Sequence, residues 1–179
     1  KPKGGLMKHR ALMSEFHSCI HALEYVESDR CLWSLPLYHS GQIHTFSNPQ
    51  IMVGSTCALL EQSKPEDIFA CIERNKITSF FAPPTVWVGL LRHPGFDSHD
   101  LSSLNKVYYG ASIMPEPILV ELRKRLNGAR VFNCYGQSET GPLAKEWNAE
   151  AIPNNWRIGK PSASLEEGLS DTEVGSMLA

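Results

Sequence analysis

The sequence lacks an apolar run long enough to cross a membrane, because none of its apolar stretches reaches about 18 residues. The first residues also lack the charged, apolar and small-residue order of a signal peptide. Lysine and arginine are scattered, and the formal net charge is only −2. A dedicated nucleic-acid-binding protein would carry clustered positive charge. These absences argue against a transmembrane segment and against nucleic acid as the partner.

Paired Cys-x-x-Cys motifs are absent too. The five cysteines are widely separated in the sequence, at Cys19, Cys31, Cys57, Cys71 and Cys134. An odd number of scattered cysteines is typical of a reducing compartment, where they pack as small apolar side chains. We therefore expect a cytoplasmic protein. Because the chain begins with Lys1 rather than Met, we also expect it to be part of a longer product.

The chain is rich enough in apolar residues, at 42% of 179, to bury a core. Apolar periodicity predicts helices over residues 10–26, 65–76, 85–95 and 114–128. Short apolar runs predict strands within residues 30–38, 54–62, 77–84, 104–112 and 129–136. Alternating strands and helices indicate an α/β fold, with a mostly parallel sheet and flanking helices. We expect no regular structure after residue 147.

Three unusual segments follow predicted strands: PLYHSG, YYGAS and NCYGQSE. In a parallel sheet, ligands bind beyond the carboxyl ends of the strands. We therefore expect these three segments to meet and to form one shared site.

The segment NCYGQSETGP, residues 133–142, combines an aromatic ring, a hydroxyl and a carboxylate in a short turn. The ring of Tyr135 is suited to stacking on a base. Glu139 is a hard oxygen ligand suited to Mg²⁺, Ser138 adds a hydroxyl, and Gly136 permits close backbone approach. A solvated connecting turn is the alternative interpretation of the same residues.

Three other segments have a functional and a structural interpretation. Gly110 and its small neighbours can line a nucleotide slot or simply form a tight turn. Lys3, among glycines, can grip phosphate or lie in a frayed terminus. His39 can contact a substrate carboxylate or serve the structure alone. His17 and His21 are spaced for a shared metal, but the sequence offers no third ligand, so we expect no metal there.

A serine hydrolase is a further alternative, with GQSET as a nucleophile turn around Ser138. That motif requires glycine two residues after the serine and a helix leading away. Thr140 occupies the glycine position, and Gly-Pro follows it. The sequence therefore disfavours this alternative.

Taken together, five motifs resemble the adenylate-forming superfamily, specifically its AMP-dependent acyl-CoA ligases of the fatty-acyl-CoA synthetase type. PKGGLMKHRAL resembles the end of the family's phosphate loop, and SLPLYHSG its histidine motif. VYYGASIMPEPI resembles its adenine-lining segment, NCYGQSETG its Tyr-Gly-x-Thr-Glu signature, and RIGKPS a downstream Gly-x-Pro element. The motifs occur in the family's order from residue 1 to about residue 162, which implies part of the large N-terminal domain.

The resemblance implies roles for the matching residues. Those implied to bind the nucleotide are Gly110, Ala111, Ser112, Asn133, Tyr135, Gly136, Ser138 and Glu139. Glu139 would hold Mg²⁺ on the ATP phosphates, and Lys3 would belong to the phosphate loop. The residues implied for the acyl pocket are His39, Tyr108, Tyr109 and Gly136. Lys3, His39 and Glu139 are thus the implied catalytic set, with ATP and coenzyme A as co-substrates.

The sequence also departs from the family pattern. Ser138 stands where the family usually has threonine, and no Thr-Gly-Asp motif or C-terminal lid is found. We therefore expect a partial AMP-binding domain over residues 1–162 and an irregular tail over 163–179. The expected activity is AMP-forming ligation of a fatty acid to coenzyme A by an incomplete chain. The alternative is a fragment or degenerate relative that binds nucleotide or acyl groups without catalysis.

Overall fold

The structure, a computed structural model, describes residues 4–138 and 141–147. Within these ranges the helices are α1 (His9–Ala22), α2 (Asn48–Met52), α3 (Pro65–Asn75), α4 (Pro84–Arg92), α5 (Gly95–Ser98) and α6 (Glu116–Arg125). A π-helix at Gly41–Ser47 leads directly into α2. The strands are β1 (Arg30–Trp33), β2 (Thr56–Leu59), β3 (Ser79–Phe81), β4 (Lys106–Gly110), β5 (Arg130–Gln137) and β6 (Gly141–Trp147).

The six strands form one sheet in the order β2-β1-β3-β4-β5-β6. The first five are parallel, and β6 pairs antiparallel with β5. The chain goes from β1 outward to β2 and then returns past β1 to β3. Right-handed crossovers put helices on opposite faces when the direction of travel reverses. The predicted α/β fold with a mostly parallel sheet and flanking helices is confirmed.

Each face of the sheet has its own core. One core packs α3, α4 and α6 against residues such as Val107 and Tyr109 of β4. The other packs α1 and the π-helix against Tyr108 and Phe132. Side chains alternate between the two faces along a strand, so neighbouring residues of β4 serve different cores. The sheet is thereby buried on both sides, as a parallel sheet requires.

The sequence of α3 shows why a helix forms between β2 and β3. Pro65 lies in its first turn, where a missing N–H costs nothing, and Glu66 and Asp67 follow at the positive end of the helix dipole. Its apolar face buries Ile68 and Ile72. The helix ends at Lys76, which has a left-handed φ of 49°.

A buried ion pair fixes the amino end of the sheet. Lys106 Nζ lies 2.5 Å from Asp29 Oδ2, and the two side chains are 4% and 3% exposed. Lys106 also donates to the carbonyl of Glu24 at 2.7 Å, and Asp29 accepts from the amide of Val26 at 2.9 Å. These bonds join β4 to the connection between α1 and β1.

Two elements differ from the sequence prediction. The π-helix and α2 occupy a stretch that lacks a clear amphipathic period and for which no helix was predicted. Strand β6 occupies residues 141–147, for which no strand was predicted. A strand rather than a helix after Ser138 also removes the geometry of a hydrolase nucleophile turn. The expected boundary at residue 162 and the tail over 163–179 lie outside the described residues.

All five cysteines are free thiols. Among residues 4–138 and 141–147, no helix has the length and apolar character to span a membrane.

Candidate functional site

A cavity of about 490 Å³ opens at the carboxyl end of the sheet. It lies where the loops after β1, β3, β4 and β5 meet the π-helix. Its lining residues are Glu15, Leu35, Pro36, His39, Ser40, Gly41, His44, Thr45, Phe46, Phe81, Pro83, Ala111, Cys134, Tyr135, Gly136, Gln137 and Ser138. The predicted meeting of the three loops is therefore observed, because all three contribute to this lining.

The strand order explains why the cavity forms there. The connection that leaves β1 covers one face of the sheet, whereas the connection that leaves β3 covers the other. Adjacent strands whose connections diverge leave a crevice at their carboxyl ends, and ligands of open α/β sheets bind in such crevices.

The π-helix forms one wall of the cavity. Residues five apart lie above one another on the same side of a π-helix. Gln42 and Ser47 are such a pair, and Gln42 Nε2 donates to Ser47 Oγ at 2.9 Å. The backbone at Thr45 is anchored to the core, because its carbonyl accepts a 3.0 Å hydrogen bond from the hydroxyl of Tyr25. His44 and Phe46 line the cavity from this wall. Short π-helical segments occur frequently at functional sites.

The deeper part of the cavity is aromatic. The rings of Phe46 and Phe81 lie 4.4 Å apart, and Phe46 also packs against Tyr108 at 5.6 Å. These contacts tie the π-helix to the ends of β3 and β4. An apolar wall of this kind suits the hydrophobic part of a ligand.

His39 lies at the mouth of the cavity and is exposed. The amide of Gly41 donates to His39 Nδ1 at 3.1 Å. Because Nδ1 accepts, a neutral ring carries its proton on Nε2 and can donate from that atom. The ring is thus held in one tautomer, suited to contact an anionic oxygen.

The loops after β1 and β5 are joined across the mouth. Ser40 Oγ lies 2.8 Å from Ser138 Oγ, although 98 residues separate them in the chain. Gly136 and Tyr135 line the cavity beside this contact, and the β5–β6 register shifts between them. Such a bulge redirects side chains at the edge of a site.

The end of β4 brings backbone close to the cavity. Ala111 lines it and has a left-handed φ of 66°, which costs a non-glycine residue about 1–2 kcal/mol. Gly110 has no room for a side chain, since an added Cβ would lie 2.1 Å from the carbonyl oxygen of Cys134. The small size of Gly110 is therefore required by the packing of β4 against β5.

Five of the predicted site residues that the structure describes do not line this cavity, namely Gly110 and four others. Tyr108 is fully buried in the core under α1, and its hydroxyl donates to the carbonyl of Leu23 at 2.8 Å. Tyr109 belongs to the core on the other face, and Asn133 pairs in register with it. Ser112 is exposed after β4. The aromatic rings that line this cavity are those of Phe46 and Phe81, whereas Tyr108 and Tyr109, which we expected in the acyl pocket, do not line it.

Sequence reasoning missed Glu15 and His44, which both line the cavity. Glu15 is only 6% exposed, and burial raises the pKa of its carboxyl from 4.5 to about 7. A signal was present, because Glu15 lies three residues after Leu12 and four before Cys19, on the apolar stripe of α1. A carboxylate in that stripe is a departure from the helical pattern.

Metal binding has limited support within the described residues. Over residues 4–138 and 141–147, no three His, Cys, Asp or Glu side chains come together, and His17 and His21 are exposed. Mg²⁺ needs only one or two carboxylates when phosphates supply its other ligands. The hydroxyl oxygen of Ser138 fits such a cation chemically. Glu139, the predicted Mg²⁺ ligand, and Lys3, predicted to belong to the phosphate loop, lie outside the described residues.

Comparison with known proteins gives concordant results. The sequence profile of the AMP-binding enzyme family matches residues 1–178. The indoleacetate–CoA ligase of Aromatoleum aromaticum is 33% identical over 144 residues, which are 80% of this chain and 28% of that protein. The long-chain-fatty-acid–CoA ligase of Bacillus subtilis is 26% identical over 180 residues, 99% of this chain and 32% of that protein. The chain thus spans about a third of the length of these relatives.

Solved structures show the same fold. The N-terminal domain of FACL13 from Mycobacterium tuberculosis superposes with a TM-score of 0.82 at 20% identity, over 90% of this chain and 40% of that one. The profile match covers nearly the whole chain, and the fold agrees with it. The chain belongs to the AMP-binding enzyme family.

Proposed function

We propose that this chain forms part of the substrate site of an AMP-forming acyl-CoA ligase. Such an enzyme converts a carboxylic acid, ATP and coenzyme A into acyl-CoA, AMP and pyrophosphate. The observation that carries the proposal is the cavity, which is lined by His39, Ala111 and residues 134–138 from three separate strand ends. The two curated relatives described above are both named as CoA ligases.

The rim of the cavity, together with the adjoining ends of β4 and β5, is assigned to the nucleotide. The ring of Tyr135 would stack on the adenine, with Gly110, Ala111 and Ser112 beside the base and Asn133 near it. The left-handed Ala111 supports this assignment, because local strain is common where a backbone meets a ligand. Lys3 would contact phosphate from the N-terminal loop.

Glu139 and Ser138 are the proposed Mg²⁺ ligands, and the ion would neutralise phosphate charge when bound with ATP. The hydroxyl of Ser138 lies at the mouth of the cavity, next in sequence to Glu139. This position supports a role beside the phosphates rather than at the acyl end.

His39 is assigned to the acid carboxylate. A carboxylic acid is ionised at neutral pH, so its attack on the α-phosphate of ATP needs no general base. The attack needs the two reactants held in line and apart from water. The neutral ring, with its proton on Nε2, would donate to a carboxylate oxygen. The attack on the α-phosphate breaks the bond to pyrophosphate and forms an acyl-adenylate. The thiol of coenzyme A then attacks the acyl carbon of the adenylate and loses its proton, and AMP leaves with the oxygen that joined it to the acyl group.

The acid itself is hydrophobic in this proposal. The Phe46–Phe81 wall gives the cavity an apolar interior. Of the relatives described, one is named for a long-chain fatty acid and the other for indoleacetate, an aromatic acid. Fatty acids were the expectation from sequence, and aromatic acids are the second candidate class.

Exchange of labelled pyrophosphate into ATP tests the proposal. The protein expressed from its complete gene would be assayed with a panel of alkyl and aryl acids, and with no acid. Exchange that depends on one of these acids, and that is lost in Glu139→Gln, is expected. A complete absence of exchange, together with retained ATP binding, would instead support the non-catalytic nucleotide-binding alternative.

A further inference from the structure

A proline stands two residues after the end of the π-helix at Gly41–Ser47. The amide of Asn48 still donates to the carbonyl of Ile43, five residues back. Pro49 follows and has no amide hydrogen, and in α-helical winding its ring would collide with the carbonyl four residues before it. That carbonyl belongs to Thr45. The sequence therefore excludes the α-helical hydrogen bond that the carbonyl of Thr45 would otherwise accept.

The hydroxyl of Tyr25 supplies a donor to this carbonyl. It lies 3.0 Å from the carbonyl oxygen of Thr45, 20 residues further along the chain. Tyr25 is buried, and burial raises the pKa of its phenol well above the usual value, so the hydroxyl keeps its proton and can donate. The ring packs edge-on against that of Tyr108, with the centroids 5.9 Å apart. The donor is thus fixed within the core.

The anchored carbonyl is part of the cavity wall. Thr45 and Phe46 both line the cavity, and the ring of Phe46 lies 4.4 Å from that of Phe81 at the end of β3. The carbonyl of Thr45 and the nitrogen of Phe46 belong to one planar peptide unit. A displacement of the carbonyl therefore moves Phe46, and the bond from Tyr25 sets the position of this aromatic wall.

The hydroxyl of Tyr25 is not needed to fill the core. Phenylalanine would keep the ring contacts with Tyr108 and Phe46 and would bury no hydroxyl. The hydroxyl of Tyr108 is also buried, but it donates to the carbonyl of Leu23 at the end of α1. Of these two buried tyrosines, Tyr25 is the one whose hydroxyl is bonded to the cavity wall.

We propose that Tyr25 is a positioning residue for the substrate acid. Acting through the carbonyl of Thr45, and together with Pro49, it keeps residues 41–47 in π-helical winding and fixes Phe46 against the hydrophobic body of the acid. This proposal rests on the proposed ligase function. Without the hydroxyl the carbonyl of Thr45 loses a partner and the wall relaxes, so the acid binds more weakly. The nucleotide, which is assigned to the rim, keeps its affinity.

Acid-dependent pyrophosphate exchange tests this role in the protein from its complete gene, with separate KM values for the acid and for ATP. Tyr25→Phe keeps the ring and removes the hydroxyl. It should raise the KM of the preferred hydrophobic acid about three- to tenfold and change the KM of ATP by less than about twofold.

Ser103→Ala is the matched control for the loss of a hydroxyl. Ser103 Oγ donates to the carbonyl of Ile77 at 2.7 Å, at the amino end of the sheet and away from the cavity. The variant loses a bond of the same kind as Tyr25→Phe. Its KM values for the acid and for ATP should both stay at the wild-type level.

A double-mutant cycle with Pro49→Ala tests the route through Thr45. Alanine at this position supplies an amide that can donate to the carbonyl of Thr45 in α-helical geometry. Pro49→Ala should therefore raise the KM of the acid by itself. In this background Tyr25→Phe should add less than about twofold, because the carbonyl has another donor. Two residues that act independently would give additive effects instead.

The outcomes separate this inference from the ligase proposal. An unchanged acid KM in Tyr25→Phe, or equal rises in the KM of acid and ATP, would overturn the inference and leave the ligase function intact. An effect of Tyr25→Phe as large in the Pro49→Ala background as in the wild type would overturn it as well. If Tyr25→Phe does not fold, an unchanged acid KM in Pro49→Ala contradicts the inference. No exchange with any acid in the wild type would overturn the ligase function, and this inference with it.

Discussion

The hydroxyl of Ser40 lies 2.8 Å from the hydroxyl of Ser138, so the loops after β1 and β5 touch across the mouth of the cavity. The two serines are 98 positions apart in the chain. Ser40 directly follows His39 within the motif SLPLYHSG, and Ser138 directly precedes Glu139 in the signature turn. This contact joins the proposed acid-binding loop to the proposed nucleotide-binding loop.

Replacing each serine separately distinguishes a ligand contact from a structural bridge. If Ser138 serves the Mg²⁺-bound nucleotide, Ser138→Ala should weaken Mg-ATP binding about three- to tenfold, whereas Ser138→Thr should restore it. Ser40→Ala breaks the same bridge but keeps the hydroxyl of Ser138, so the affinity of this variant for Mg-ATP should stay near that of the wild type. Equal losses in both alanine variants, measured by calorimetry, would assign the effect to the bridge alone.

Tyr135 is expected to stack on the adenine. Tyr135→Ala should weaken ATP binding by about 1–3 kcal/mol, and Tyr135→Phe should keep most of the affinity because the ring face remains. Tyr38 offers a matched control, since it is 90% exposed and does not line the cavity, although it directly precedes His39 in the chain. Unchanged ATP affinity in Tyr135→Ala would contradict the stacking role.

Gly110 and Gly89 should respond in opposite ways to the same change. An alanine Cβ at position 110 would collide with the Cys134 carbonyl, so Gly110→Ala should lower the free energy of unfolding by about 1–3 kcal/mol. Gly89 lies in α4 with open space around it, and Gly89→Ala should stabilise by about 0.5–1 kcal/mol. Chemical denaturation of both variants measures the contrast. A neutral Gly110→Ala would show that β4 and β5 are less tightly apposed.

Breaking the buried ion pair of Asp29 and Lys106 should lower the stability of the protein far more than breaking an exposed ion pair. Asp29→Asn leaves the Lys106 charge buried and uncompensated, so a loss of about 3–5 kcal/mol is expected. Lys76 and Asp100 lie 2.8 Å apart at the surface, where water screens their attraction, so Asp100→Asn should reduce stability much less. Comparable losses in the two variants, by urea unfolding, would contradict the burial of the first pair.

Glu15 should make the stability of the protein depend on pH. Its pKa is about 7 when folded and 4.5 ordinarily, so between these values the folded protein keeps a proton that the unfolded chain has lost. Stability from this group therefore falls as pH rises from about 5 to 7, by on the order of 3 kcal/mol in all. Glu15→Gln should gain stability over wild type across that interval. A constant difference from pH 5 to pH 8 would contradict the buried, unpaired carboxyl.

The sequence predicted those parts of the fold that have a strong local period. The apolar spacing of α3 and α6 and the apolar runs of β4 and β5 determine their structure almost alone, and their predicted positions agree with the structure within a few residues. The meeting of the three loops followed from the alternation of strands and helices and from the rule that ligands bind at the carboxyl ends of parallel strands. These features require no knowledge of long-range contacts.

The π-helix and several features of the candidate site depend on long-range contacts that a single sequence does not reveal. The π-helix contains histidine, threonine and serine at positions that are polar by pattern, and it is held by the Tyr25 and Phe46 contacts. Tyr108 and Tyr109 follow each other in the chain but face opposite cores, so neither reaches the cavity as expected. Glu15 lies on the apolar stripe of α1, and its burial in the structure comes from the packing of that helix against the sheet.

Transfer of oxygen from the acid to AMP tests the central claim most directly. The protein from its complete gene would receive a hydrophobic acid labelled with ¹⁸O in both carboxylate oxygens, together with ATP and coenzyme A. If the carboxylate attacks the α-phosphate, the released AMP carries one ¹⁸O atom, and its mass rises by about 2 Da, since that oxygen stays on phosphorus when the thioester forms. AMP without label, or label found in inorganic phosphate alongside ADP, would contradict the adenylate route assigned to this cavity.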